Sequence, residues 1–124
     1  MAGMDGSIIE QLCPKMLDEV PVAVLLIENG IFVYCNKAAV DIFHANRTEQ
    51  IVGKPPGILS PELQPDGQSS QEKAVSVITD AIGGKPQRFE WVHTRMDGTP
   101  FNAEVRLVKV DIMGRTFLQT NIMD

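Results

Sequence analysis

The stretch Arg88 to Leu107, RFEWVHTRMDGTPFNAEVRL, constrains the fold more than any other part of the chain. Asp97-Gly98 sits at its middle, and this dipeptide favours a two-residue type I′ turn. Both central positions of that turn need positive φ, which Asp and Gly tolerate best. Before the turn Phe89, Trp91 and His93 share one face, with Arg88, Glu90, Val92 and Thr94 on the other. After it Phe101, Ala103, Val105 and Leu107 alternate with Asn102, Glu104 and Arg106. A period of two on both arms of a tight turn predicts the central hairpin of an antiparallel sheet, its aromatic face inward.

The remaining segments supply partners for that hairpin. Pro21 marks entry to a first strand, Val22 to Glu28, and Asn29-Gly30 is a second type I′ signal that returns the chain through Ile31 to Cys35. Asn36 suits an N-cap before a helical run from Lys37 to Phe43, which His44 ends. Arg47 to Val52 predicts a helical turn before Gly53. Ser60-Pro61-Glu62 reads as a cap with Pro at the first helical position, and Gln64-Pro65-Asp66-Gly67 as a type I turn. Ser69-Ser70-Gln71-Glu72 is a capping box. The helix it opens carries Ala74, Val75, Ile78, Ala81 and Ile82 on one face and stops at Gly83-Gly84. A last hairpin turns near Met113-Gly114 and returns through Arg115 to Ile122. Strands are thus grouped rather than alternated with helices, so the class is α+β: a five-stranded antiparallel sheet with short helices over one face and a pocket between the layers.

At the N-terminus Met1 to Gly6 reads as a tether. Ile8, Ile9, Leu12, Met16 and Leu17 recur at helical spacing, interrupted by Pro14, giving a short helical extension over residues 1–18 ahead of a domain at 19–124. Its apolar stripe either covers the outer face of the sheet or meets a second copy.

A length of 124 residues suits one domain with a sizeable core. The formal charge of -5 disfavours a nucleic-acid partner, which needs clustered Lys and Arg. The longest apolar run, Val20 to Ile27, is far too short to span a bilayer, and no secretory signal is evident. Cys13 and Cys35 have no metal or redox spacing and read as reduced structural thiols, with a single disulfide between them as the alternative. Enzymatic chemistry is not expected: Glu90 and Glu104 fall on the outer strand face, His93 has no nucleophile at a readable spacing, and neither a metal-ligand cluster nor a phosphate-binding loop is present.

In order and spacing, MLDEVPVAVLLIENGIFVYCNKAAVDIF, IVGK, LSPELQPDG and FEWVHTRMDGTPFNAEV resemble a PAS domain, from about Met16 to Ile122. The resemblance implies a cytoplasmic sensory or dimerisation module within a histidine kinase, chemoreceptor, diguanylate cyclase or transcription regulator. Asn121-Ile122-Met123 stands where such domains commonly carry Asp-Ile-Thr ahead of an output element, and that element is expected outside this sequence. Haem-binding relatives use a His on the long helix, and Ser69 to Gly84 has none. Light-sensing flavin (LOV) relatives carry an Asn-Cys-Arg motif that neither cysteine matches. Neither cofactor is therefore expected, and the ligand is left open.

Registered on its turn against the flavin-binding relatives, the hairpin places His93 where those domains have an inward Asn, Gln119 at an inward Gln, and Ala103 at a second Asn. The candidate ligand site is then Trp91, His93, Gln119, Phe101, Ala103 and Val105, with Ile78 from the helix. His93 and Gln119 could bond a carboxylate, carbonyl or heteroaromatic ring, or could satisfy each other. Val92, Val108 and Val110 on the outer face, with Ile8, Ile9 and Leu12, form the candidate homodimer interface. A pure association module with a filled core is the alternative.

Overall fold

The computed structural model describes residues 20–124, so the expectations for Ile8, Ile9, Leu12, Cys13 and the 1–18 extension lie outside the described residues. Five strands form one antiparallel sheet: β1 (Ala23–Glu28), β2 (Ile31–Cys35), β3 (Gln87–Thr94), β4 (Pro100–Ile112) and β5 (Arg115–Met123), in the order β2-β1-β5-β4-β3. Helices α1 (Lys37–Ile42) and α2 (Ser70–Ile82), with 3-10 turns at Thr48–Gln50 and Pro56–Leu59, lie between β2 and β3 in the chain. The last strand in sequence occupies the centre of the sheet. Its long-range pairing with β1, beside its hairpin with β4, is what closes the fold.

Local chemistry explains most boundaries. Asn29 and Gly30 adopt φ of 53° and 78°, and Met113 and Gly114 adopt 49° and 78°, as type I′ turns demand. Asn36, fully buried, caps α1: its Oδ1 accepts from the N–H of Ala39 and of Val24, both at 3.0 Å, and its Nδ2 donates to the carbonyl of Val22. One side chain thus caps a helix and ties its start to β1. The Ser69 hydroxyl accepts from the Glu72 N–H, as a capping box requires, and Gly67 N–H closes the 64–67 turn on the Gln64 carbonyl.

At the central hairpin the expectation of a two-residue type I′ turn is overturned. Asp97 does not have positive φ; Gly98 alone does, at 88°. Gly98 N–H bonds the Arg95 carbonyl and Arg95 N–H the Thr99 carbonyl, so three residues connect the arms. This is a type I turn followed by a left-handed glycine. The extra residue sets the phase: Trp91 faces Ala103 and His93 faces Phe101 across the ladder. A two-residue turn would have moved one arm by one position, turning its apolar row to the opposite face. Asp97 stabilises the connection by accepting from the Thr99 hydroxyl at 2.6 Å and N–H at 3.0 Å, and it pairs with His44 at 3.2 Å. The Thr99 hydroxyl first, then its N–H and His44, hold the Asp97 carboxyl well below the usual carboxylate range.

Further corrections concern packing. No helix starts at Ser60-Pro61-Glu62; a 3-10 turn precedes it and Ser60 is extended. On α2, Val75 and Ile82 are 59% and 50% exposed, whereas Ala81 is buried and Ala74, Val77 and Ile78 are half-buried. α1, α2 and two 3-10 turns share the cover of the sheet, and only part of the α2 stripe meets it. In β2 a bulge opposite Leu26/Ile27 lets Phe32 and Cys35, three residues apart, both reach the main core.

Candidate functional site

Between the inner sheet face and α2 with its preceding loop lies a cavity of about 700 Å³. Its floor is Ile27, Phe89, Trp91, Val105, Leu107 and Ile122, and Leu59, Ala74, Val77 and Ile78 form its roof. This is an apolar interior that the alternation of β3 and β4 builds directly. Polar side chains are few. The Ser60 hydroxyl accepts from Trp91 Nε1 at 2.9 Å, Ser69 caps α2, and Ser70 accepts from Gln64 Nε2 at 2.8 Å. Glu62, exposed, is the one formally charged residue among the lining residues.

The strand edge beside the cavity is held by side chains rather than by another strand. Gln64, 4% exposed, pairs its amide with both backbone groups of Val92: Oε1 accepts from the Val92 N–H at 2.9 Å and Nε2 donates to its carbonyl at 3.1 Å. Edge N–H and C=O groups otherwise need water or another chain. Trp91 on one side binds Ser60, and His93 on the other binds the Leu59 carbonyl at 2.9 Å through Nδ1. Three successive residues of β3 therefore fasten the loop that forms the cavity wall.

His93 is 8% exposed, and burial pushes its pKa down to about 4, against the smaller opposing effect of the Leu59 carbonyl. The ring is therefore neutral at pH 7. Because a carbonyl only accepts, Nδ1 carries the proton and Nε2 presents a lone pair. Phe43 meets the imidazole edge-on at 5.2 Å between centroids, and Phe101 lies at 5.6 Å. Among the described residues, two buried side-chain polar atoms have no hydrogen-bond partner: His93 Nε2 and Thr120 Oγ1, both on residues that line the cavity.

Of the residues expected at this site, Trp91, His93, Val105 and Ile78 line the cavity. Phe101 and Ala103 are buried but do not line it; Phe101 packs on Phe43, and the Arg95 guanidinium lies 4.3 Å from its ring centroid. Gln119 is a correction. It is half-buried on the opposite sheet face, its Nε2 donating to Asn121 Oδ1 at 3.2 Å. Thr120 takes the inward place, between the buried Leu118 and Ile122. That spacing was available in the sequence, but Phe117, also buried, obscured the phase. Phe117 belongs to a second cluster with Leu26, Val33, Tyr34 and Ile112. Gln64, Ser60 and the Leu59 carbonyl were not anticipated; only the 64–67 turn hinted that Gln64 would be fixed.

On the outer face Val108 is 42% exposed and Val92 and Val110 are half-buried, beside an Arg88, Glu104 and Arg106 charge cluster. A second concavity, a polar groove of about 1070 Å³, lies where Val20 to Ala23 and Met123-Asp124 pass α1. It is bordered by Lys37, Asp41, His44 and Arg95 rather than by a core. Among the described residues no group of three His, Cys, Asp or Glu could hold a metal ion, and no helix is long and apolar enough to cross a membrane.

Comparisons with known proteins agree with this architecture. No curated protein sequence matches the chain significantly. The PAS domain of a Colwellia psychrerythraea protein superimposes with a TM-score of 0.73 at 21% identity, over 94% of this chain and 97% of that one. The PAS domain of nitrogen regulation protein NR(II) from Vibrio parahaemolyticus gives 0.72 at 18%, over 91% and 97%. An RNA-binding light-oxygen-voltage receptor gives 0.75 at 16%; the match covers 96% of this chain and 34% of that receptor, so the chain spans about a third of its length. At these identities the structures speak for the fold. The family model described as PAS fold matches residues 12–119, and on that match the chain belongs to the PAS family.

Proposed function

We propose that this chain is the sensory module of a larger cytoplasmic regulator and that its interior cavity binds a small molecule. The observation that carries the reading is the cavity itself: about 700 Å³ of space walled mainly by apolar side chains, with His93 and Thr120 among the few polar residues of its lining. Small-molecule sites are commonly built this way, with few polar groups on an apolar wall. Sensing rather than catalysis is the reading, since the polar residues of the site include no nucleophile beside a base. Native mass spectrometry of the freshly purified protein tests it. A small-molecule adduct is expected, lost in Ile78→Trp, which fills the roof. Bare protein in both, with no thermal shift across a metabolite library, overturns it.

The outer face supports a second element, self-association. Val108 is an exposed apolar side chain flanked by Val92 and Val110, and such area often marks a partner surface. A homodimer through this face is expected in sedimentation at high micromolar concentration; a monomer there removes this element.

A further inference from the structure

The two edges of the sheet are closed differently. At β2 the Phe32 N–H donates to the Lys54 carbonyl at 3.0 Å, and the Phe32 carbonyl accepts from the Gly53 N–H at 2.8 Å, so another stretch of chain meets that edge. At β3 the Gln64 amide does the same for Val92. Backbone groups alternate in direction along a strand, so those of Arg88 and Glu90 point the same way as those of Val92. Among the described residues nothing bonds them. The β3–β4 register runs through this stretch without a bulge, and both side chains are exposed. A straight, open edge of this kind is a template for another strand.

The charges on that edge are complementary to themselves. When two antiparallel copies of β3 meet edge to edge, the residues whose backbone groups point outward must face one another, which leaves few registers. Arg88 facing Arg88 sets like charges opposite. Glu90 facing Glu90 does so too, and brings Arg88 onto the Val92 groups that Gln64 already holds. The register between these puts Phe89 on the two-fold axis and Arg88 of each copy opposite Glu90 of the other. Both pairs are then attractive. The two Phe89 residues face each other as a non-hydrogen-bonded pair, with Cα atoms about 4.5 Å apart. Phe89 is only half-buried in the single chain, so the contact covers apolar surface. Pairing ends where Pro86, which has no N–H, comes opposite Val92.

We propose that the Arg88–Glu90 edge of β3 is a docking site for a second copy of this chain, the two sheets joining into one about a two-fold axis at Phe89. A closed two-fold contact consumes the edge on both copies, so association stops at the dimer. The surface is separate from the Val108 face and does not rest on the contact proposed there, because its bonds come from main-chain groups in the plane of the sheet.

Sedimentation in a Val108→Asp background, which disrupts the apolar outer face, isolates the edge. A dimer is expected there at high micromolar concentration. Glu90→Arg sets Arg against Arg across the axis and is expected to weaken the dimer about tenfold or more. Within one chain it replaces the like-charge pair Glu90 and Glu104 with an attractive one, so the fold itself is not weakened. Arg88→Glu is expected to have the same effect on association. An equimolar mixture of the two variants restores the dimer, since each supplies the charge the other lacks. Hydrogen exchange reads the strand pairing directly: the Arg88 and Glu90 amides slow as protein concentration rises. A monomer throughout, as an edge kept for another protein's strand would give, overturns the proposal. So does unchanged association in Glu90→Arg, failure of the mixture, or exchange at Arg88 and Glu90 that ignores concentration. A wild-type dimer that Val108→Asp dissolves completely overturns the edge contact and leaves the outer-face contact standing.

Discussion

The two faces of the β3–β4 hairpin are built from alternate residues of the same twenty-residue stretch, yet they do different work. Inward, Phe89, Trp91, His93, Val105 and Leu107 wall a cavity, and all but the half-buried Phe89 are buried. Outward, Arg88, Glu90, Asn102, Glu104 and Arg106 face solvent, where Glu104 pairs with both arginines. An inward polar group is costly to strand and so is either bonded or available to a ligand. An outward charge is hydrated whether paired or not. The difference is one of dielectric rather than residue type, and four substitutions measure it.

The largest effect is expected at Phe43, fully buried and edge-on to both His93 and Phe101. Phe43→Ala leaves a cavity behind the inward face and is expected to cost about 3–5 kcal/mol in urea unfolding. A loss under about 1 kcal/mol would mean that the inner layer is as forgiving as the outer one.

Next is the acid sensitivity of His93. Its pKa is about 4 in the fold against 6.5 for the free side chain. Between those values the unfolded chain binds more protons, so stability rises with pH through the window and is lost as pH falls from 6.5 to 4. The full difference is about 3 kcal/mol. Carboxylates held low, among them Asp97 and Glu104, add acid sensitivity at lower pH, so the test is wild type against His93→Phe. The variant is expected to lack the step between pH 6.5 and 4; parallel curves would place the imidazole in contact with water.

These two effects also mark what the sequence made legible. Alternation fixed which hairpin residues face inward, and short-range chemistry fixed the Asn36 cap, the type I′ turn at Asn29-Gly30 and the place of the turn at Met113-Gly114, because each depends on neighbours in the chain. The length of the central turn, the inward place of Thr120 and the clasp by Gln64 depend on partners far along the chain. In β5, Phe117 and Leu118 are both buried, on opposite faces, so hydrophobicity alone assigned no phase there. Pairing with β1 and β4 decides it.

Gln64 tests the boundary between the faces, since its amide stands in for a missing strand at the edge of β3. Gln64→Ala leaves both backbone groups of Val92 and the Ser70 hydroxyl without that partner, for an expected loss of about 1–3 kcal/mol. Hydrogen exchange localises it: the Val92 amide should exchange faster while amides of β1 and β5 shift only with global stability. Uniform change at all sites would mean that the clasp is not a separate unit.

Smallest is the outward charge cluster. Arg88 first and Arg106 second hold the Glu104 carboxyl below its ordinary range, which looks on paper like a stabilising pair. The side chains of Arg88 and Arg106 are 66% and 47% exposed, however, so water and salt compete for every contact. Glu104→Gln keeps the shape and removes the charge, and its unfolding midpoint should be indistinguishable from wild type at physiological salt. Repeating the measurement at low salt sharpens the contrast, because any deficit there must vanish as ions are added. A deficit that persists in high salt would show the outer face to be shielded from water, as a protein partner covering Val108 and Val110 would make it.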